Sequence, residues 1–385
     1  MKDYDVVIVG GGPAGSTLAW ALRRHAPDKR ILVLDKQTFP RDKTCAGWVT
    51  PAVADALQLD LADYRSGREL QPIHGFSIGM MGQTSVENDH GVEPISYGIR
   101  RCEFDHYLLQ RCGAELALGQ KIKSLNRDGD RWVINDEISS PLLIGAGGHF
   151  CPVASHIGAG PGSHEIAVSA KEIEFKMTPE QSAACRVQGD IPELWFCDDL
   201  KGYAWVFRKG SYLNIGLGRE DNHKLGEHLN GFVSRMQDQG RIPNDLPGRF
   251  KGHAYLLYNH AQRPLTDDGV MLIGDAAGLA YTQSGEGIRP AVESALLAAQ
   301  VTGNLTTYSR DKLQSYVDAI EARFGDRPES LDPTGFRLPA WAKLKLASRL
   351  MQTHWFTRHV VTNRWFLHQE VEPLTADDPT VAIAG

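Results

Sequence analysis

The chain has 385 residues, more than one hydrophobic core usually organises, so two or three subregions are expected. Charged residues at 23% and hydrophobic residues at 42% are the balance of an ordinary soluble globular protein, and a net charge of −6 speaks against a nucleic-acid partner. Six cysteines without a C-x-x-C pair and fourteen histidines without H-E-x-x-H spacing predict a reducing, cytoplasmic setting and no metal.

Val6-Val7-Ile8-Val9 reads as a parallel strand buried on both faces. Gly10-Gly11-Gly12-Pro13-Ala14-Gly15 follows. Gly10 permits the tight turn, Gly12 lets backbone approach a pyrophosphate, and Gly15 lets the next helix pack on the sheet. Pro13 falls in the first helical turn, where a missing N–H costs little, and that helix end offers free N–H groups to a diphosphate. A second strand, Ile31 to Leu34, ends in Asp35, about 20 residues past the last motif glycine, where a ribose-binding carboxylate is expected. Its neighbour Lys36 is placed with it among the cofactor contacts.

Residues 70–98 predict extended segments, and a helix is expected from about Glu103 to Cys112. Lys121 to Leu125 and Arg131 to Asn135 read as a strand pair around the turn Asp128-Gly129-Asp130. Leu142-Leu143-Ile144 is a further buried strand. Residues 163–262 read as strand-rich, with Tyr203 to Phe207 and Tyr212 to Gly216 clearest. Pro328 to Gly335 reads as a linker, and the tail after Glu372 as loose.

A second motif lies far downstream. Gly269 to Ile273 reads as a strand, followed by Gly274-Asp275 and then by Gly285-Glu286-Gly287-Ile288 opening an alanine-rich helix. Asp275 suits a ribityl hydroxyl, and the helix N-terminus suits negative charge on a reduced ring. Each motif alone is a weak or moderate signal. Together they predict FAD, a ligand long enough to touch both. The predicted fold is therefore α/β: a Rossmann-like FAD-binding domain (1–68, 97–162 and 263–310) interleaved with a strand-rich α+β substrate domain (69–96 and 163–262). A C-terminal helical segment and tail (311–385) follow.

With Phe39-Pro40-Arg41-Asp42-Lys43-Thr44-Cys45-Ala46-Gly47, Arg101-Cys102-Glu103-Phe104-Asp105 and Tyr203-Ala204-Trp205-Val206-Phe207-Arg208-Lys209, the chain resembles the geranylgeranyl reductase family. That family belongs to the flavoproteins resembling para-hydroxybenzoate hydroxylase. The resemblance implies that Arg41, Cys45, Ala46 and Arg101 lie beside FAD. It also implies reduction of a carbon–carbon double bond in a prenyl-like or other apolar substrate, with NADPH or ferredoxin as reductant. Three positions depart from the family pattern: Gly147-Gly148 for its Asp-Gly pair, Arg208 for a proline, and Ala46 for a glycine. Two alternatives stand beside this reading. One is a flavin-dependent hydroxylase or halogenase acting on an aromatic substrate. The other is a non-catalytic prenyl-binding escort protein.

The flavin carries the chemistry in this reading, and the protein candidates for a catalytic role are Cys45 and Tyr203. Tyr203, Trp205 and Phe207 alternate and so share one strand face, which either lines a substrate cavity or packs in a sandwich core. Residues 336–369 hold no acid but several arginines and lysines, with Trp341, Leu344, Met351 and Trp355 at helical spacings. Such a segment either touches a membrane peripherally or packs an aromatic stripe on the FAD domain.

Overall fold

A computed structural model describes residues 1–162, 165–327 and 339–376; the expected linker at 328–335 and the end of the tail lie outside them. The Val6–Val9 strand is entirely buried and sits inside a six-stranded sheet. Leu142–Gly145 and Ile31–Asp35 flank it in parallel. Glu115–Leu118 extends the sheet on one side, and Val270–Leu272 with the antiparallel edge Thr266–Asp267 on the other. The apolar runs become parallel strands because both faces are covered. The helix Pro13–His25 packs against the helix Ile288–Thr302, which is buried along nearly its whole length.

Segments within 75–89 and 167–256 meet in a second sheet of seven strands, ordered Lys251–Leu256, Ala167–Lys176, Tyr212–Arg219, Gly202–Lys209, Glu193–Phe196, Gly75–Met80, Val86–Asp89. Gly75–Met80 enters parallel to Glu193–Phe196, while the other neighbours are antiparallel. The helix Leu225–Asp238 covers one face of this sheet, burying Leu229, Phe232 and Met236 against Ile173, Val206 and Ile215. The other face carries an aromatic cluster and turns toward the first sheet.

The hairpin expected around Asp128-Gly129-Asp130 forms, with Leu125–Asp128 paired to Arg131–Ile134 and Gly129 at φ +60°. Its first strand starts later than the sequence predicts. The Asn135 side chain accepts hydrogen bonds from the Lys123 and Ser124 amides and donates one to the Lys121 carbonyl, so these groups do not enter the ladder. The predicted helix at Glu103 begins two residues earlier, as Arg101–Gln110. Trp195 and Phe196, alternating on their strand, are both buried, one against each core.

The C-terminal part adds the helices Arg310–Phe324 and Ala340–Leu350 and a π-helix, Phe356–Phe366. Trp341 and Trp355 do not pack as a stripe on the FAD domain; they are 70% and 65% exposed, whereas Met351 is buried. No helix among the described residues is long and apolar enough to cross a membrane.

Candidate active site

A cavity of about 570 Å³ runs between the two sheets, and both glycine motifs line it. Gly10, Gly12, Pro13 and Ala14 meet Asp275, Gly285, Gly287 and Ile288 there, together with Asp35, Lys36, Arg41, Cys45, Ala46 and Arg101. Gly15 and Gly274 stand behind the wall. Gly15 presses on the Gly10 carbonyl, and Gly274 lies against Ala14 and Ala291.

At one end the chain makes a cradle. Gly10 has φ +119°, and a Cβ there would fall 2.3 Å from the Ala146 carbonyl oxygen, so only glycine lets these two segments cross. Asp35 accepts hydrogen bonds from the amides of Gly11 and Gln37, both at 2.8 Å, and so fixes the turn. Each carboxylate oxygen keeps a second lone pair for a ribose hydroxyl.

Arginines close the side of the cradle. The Arg41 guanidinium lies 3.4 Å from the Cβ position of Gly12, and its Nη1 is buried without a partner. Its Nη2 reaches Asp105 at 3.1 Å. Arg101, four residues before Asp105 on the same helix, holds that carboxylate through Nε at 2.7 Å and Nη2 at 2.9 Å. Burial disfavours the charged guanidinium, but Asp105 outweighs it and holds Arg101 above its ordinary range. The buried Arg101 and the partly exposed Arg41 thus share one anion. An orphaned donor beside a glycine that leaves room for approach fits a diphosphate, and the site accepts FAD on those grounds.

Further along, Lys43 Nζ lies 2.5 Å from His253 Nε2, and that nitrogen lies 3.8 Å from Asp275 Oδ2. Burial would raise the Asp275 carboxyl, yet His253 and Lys43 together pull it down to about 2. Burial lowers Lys43 to about 8, against the pull of Asp275. Sequence reasoning missed both basic residues. Lys43 stood in a quoted loop with no spacing signal, and His253 comes from a strand 210 positions away.

The Cys45 loop is pinned from beneath. Asn214 Nδ2 donates to the Cys45 carbonyl at 3.0 Å and to Glu172 at 2.8 Å, while its Oδ1 accepts from Trp205 Nε1 at 2.7 Å. Burial pushes the Glu172 carboxyl up to about 7 even though Asn214 opposes it.

At the other end the cavity is aromatic. Tyr203, Trp205 and Phe207 all line it, with Trp48, Leu194 and Phe366. Phe366, from the π-helix, stands 5.5 Å from the Tyr203 ring and 6.0 Å from Trp48. Trp48 and Phe366 had no sequence signal of their own, since three distant segments bring them together. The Tyr203 hydroxyl donates to the Ser284 carbonyl at 2.5 Å, which engages the proton that the sequence reading considered for catalysis. Tyr255 covers Gly285 so closely that a Cβ there would stand 2.4 Å from the phenolic oxygen. Next to it, burial pushes the Glu286 carboxyl up to about 7, with the Arg289 amide opposing. At the Gly147-Gly148 departure, burial followed by Arg263 lowers the adjacent His149 to about 4, so a neutral ring stands there.

Residues 8–58 match the family model of an NAD(P)-binding Rossmann-like domain. The chain is 31% identical over 345 residues to menaquinone reductase of Mycobacterium tuberculosis, covering 83% of this chain and 80% of that protein. It is 27% identical over 330 residues to digeranylgeranylglycerophospholipid reductase of Methanocaldococcus jannaschii, covering 81% of each. The crystal structure of a geranylgeranyl bacteriochlorophyll reductase-like protein from Thermoplasma acidophilum matches the fold, with a TM-score of 0.69 at 20% identity, over 91% of this chain and 88% of that one. With the two-motif groove and these similarities, the chain belongs to the geranylgeranyl reductase family of FAD-dependent oxidoreductases.

Proposed function

We propose that this enzyme reduces a carbon–carbon double bond in a prenyl-like or other apolar substrate. One observation carries the reading: the cofactor groove continues into a compartment walled by Trp48, Leu194, Trp205, Phe207 and Phe366. Such walls take up hydrocarbon and exclude water. The activities for which the similar reductases are named agree with it.

FAD, when bound, supplies the hydride. The cradle of Gly10, Gly12, Asp35, Arg41 and Arg101 would hold its diphosphate and ribose. Asp275, kept ionised by Lys43 and His253, would accept a ribityl hydroxyl. Saturating a double bond also takes one proton. Glu286 lines the cavity beside Tyr203 and holds a carboxyl proton near neutrality, where a general acid works best. Glu286 is therefore the group we assign to proton delivery, with Tyr203 locked by Ser284 as a fixed wall. NADPH or ferredoxin serves as reductant.

The test is anaerobic. The flavin is reduced with dithionite, and a geranylgeranyl lipid is added. Reoxidation of the flavin with a product heavier by two hydrogens supports the reading. A flavin that no prenyl substrate reoxidises ends it. Oxygen-dependent NADPH consumption with a phenol would point to a monooxygenase, and a colourless protein that refuses FAD to an escort protein. Bleaching by NADPH alone separates the two candidate reductants.

A further inference from the structure

Residues 339–369 carry five positive side chains, Lys343, Lys345, Arg349, Arg358 and Arg364, and no carboxylate, in a chain whose net charge is −6. Arg364 reaches Glu370 at 3.6 Å across an exposed pair, and Arg358 donates to the Asp89 carbonyl. Among the described residues no carboxylate pairs with Lys343, Lys345 or Arg349. The same stretch presents three large apolar side chains to solvent: Trp341 at 70%, Leu346 at 48% and Trp355 at 65%. No residue of the helix Ala340–Leu350 that the structure describes is buried. The helix is nevertheless held in place, through Ser348 to Gln83 at 2.8 Å and through the buried Met351.

The segment also reaches the active-site cavity. Met351, Val361, Phe366 and Leu367 join Trp48, Phe76 and Phe207 in one apolar cluster, and Phe366 lines the cavity itself. Trp355 and Phe366 bracket the π-helix, roughly 16 Å apart or less at a helical rise of 1.5 Å per residue. One end of this segment is therefore an exposed basic and aromatic surface, and the other is the wall against which an apolar chain would lie.

We propose that residues 339–364 dock this enzyme on an anionic membrane surface. Trp341, Leu346 and Trp355 enter the headgroup boundary, and Lys343, Lys345 and Arg349 meet lipid phosphates. Docking there brings the apolar cavity beside the phase that holds its substrate. The inference extends the proposed apolar chemistry, but its test involves no turnover, so the two can fail separately.

The full-length, FAD-loaded protein is sedimented with vesicles of phosphatidylcholine alone or with phosphatidylglycerol added, at low and high salt. Binding is expected only to anionic vesicles, with loss at high salt. Lys343→Ala/Lys345→Ala/Arg349→Ala is expected to weaken binding at least about tenfold. Trp341→Ala/Trp355→Ala weakens it without changing the salt dependence. The flavin spectrum and thermal midpoint, measured in parallel, report whether each variant folds. The proposal is overturned by an absence of binding at low salt, by equal binding to neutral vesicles, or by folded variants that bind like the parent. Dimer formation that the double Trp variant abolishes, without vesicle binding, would replace the membrane with a second copy of the chain.

Discussion

The most telling perturbation is Asp105→Asn. The Asp105 side chain is completely buried and serves two cations, Arg101 through two contacts of 2.7 and 2.9 Å and Arg41 through one of 3.1 Å. Asparagine keeps the shape and removes the charge, which leaves the buried Arg101 and the partly exposed Arg41 without their shared carboxylate. Removing one partner of a buried ion pair costs about 3–5 kcal/mol. An unfolding entropy of about 2.1 cal/mol/K per residue over 385 residues converts that loss into a fall of roughly 5 °C in the midpoint. The loss shrinks when the cofactor binds. A diphosphate in the cradle supplies negative charge beside Arg41 and restores part of what the carboxylate gave. Thermal unfolding with and without FAD is the assay, and the cofactor-induced rise in midpoint should be larger in the variant than in the parent. An equal fall with and without FAD would sink the claim that Asp105 and the diphosphate share these arginines. So would an apoprotein whose midpoint does not move.

Two pH measurements probe the raised carboxyls. With Glu286 near 7, the proton-bearing form prevails below that value, so turnover should decline as pH rises through about 7. Glu286→Gln should lower turnover by about a hundredfold and erase that decline while leaving the flavin spectrum intact; a variant that keeps the parent's profile removes Glu286 from the proton path. Glu172 has a folded-state value of about 7 against an ordinary 4.5, so the folded protein binds the extra proton between those values. Its contribution favours folding at low pH and is lost as pH rises through 7. Glu172→Gln should therefore melt above the parent at pH 8, with the gap closing toward pH 5, and parallel curves for the two proteins would refute the assignment.

The cofactor half was written locally in the sequence. Val6–Val9, Gly10 and Asp35 act over short spans, and their period, turn and acid can be read without a fold. The same holds for Gly285 and Ile288 at the head of a helix. What could not be read depends on distant chain segments. Lys43 reaches His253 only because the Lys251–Leu256 strand borders the second sheet. Phe366 belongs to a segment whose composition spoke of surface, yet its ring lines the cavity. The alternation of Tyr203, Trp205 and Phe207 gave a shared face but could not say what that face meets. Nor could it say that the Tyr203 hydroxyl donates to the Ser284 carbonyl. The strand start at Leu125 shifted for a smaller reason, the bonding of one asparagine side chain.

The first sheet is assembled from strands that leave the ribosome far apart in time. Val6–Val9 emerges first, its neighbour Leu142–Gly145 long after, and Val270–Leu272 later still. Gly285 and Ile288, which complete the groove, follow. A nascent chain released before that helix therefore presents an open apolar sheet edge and no finished cofactor site. The strand order itself demands that nearly 300 of the 385 residues be out before the sheet and groove close, and FAD can act as a folding partner only from that point.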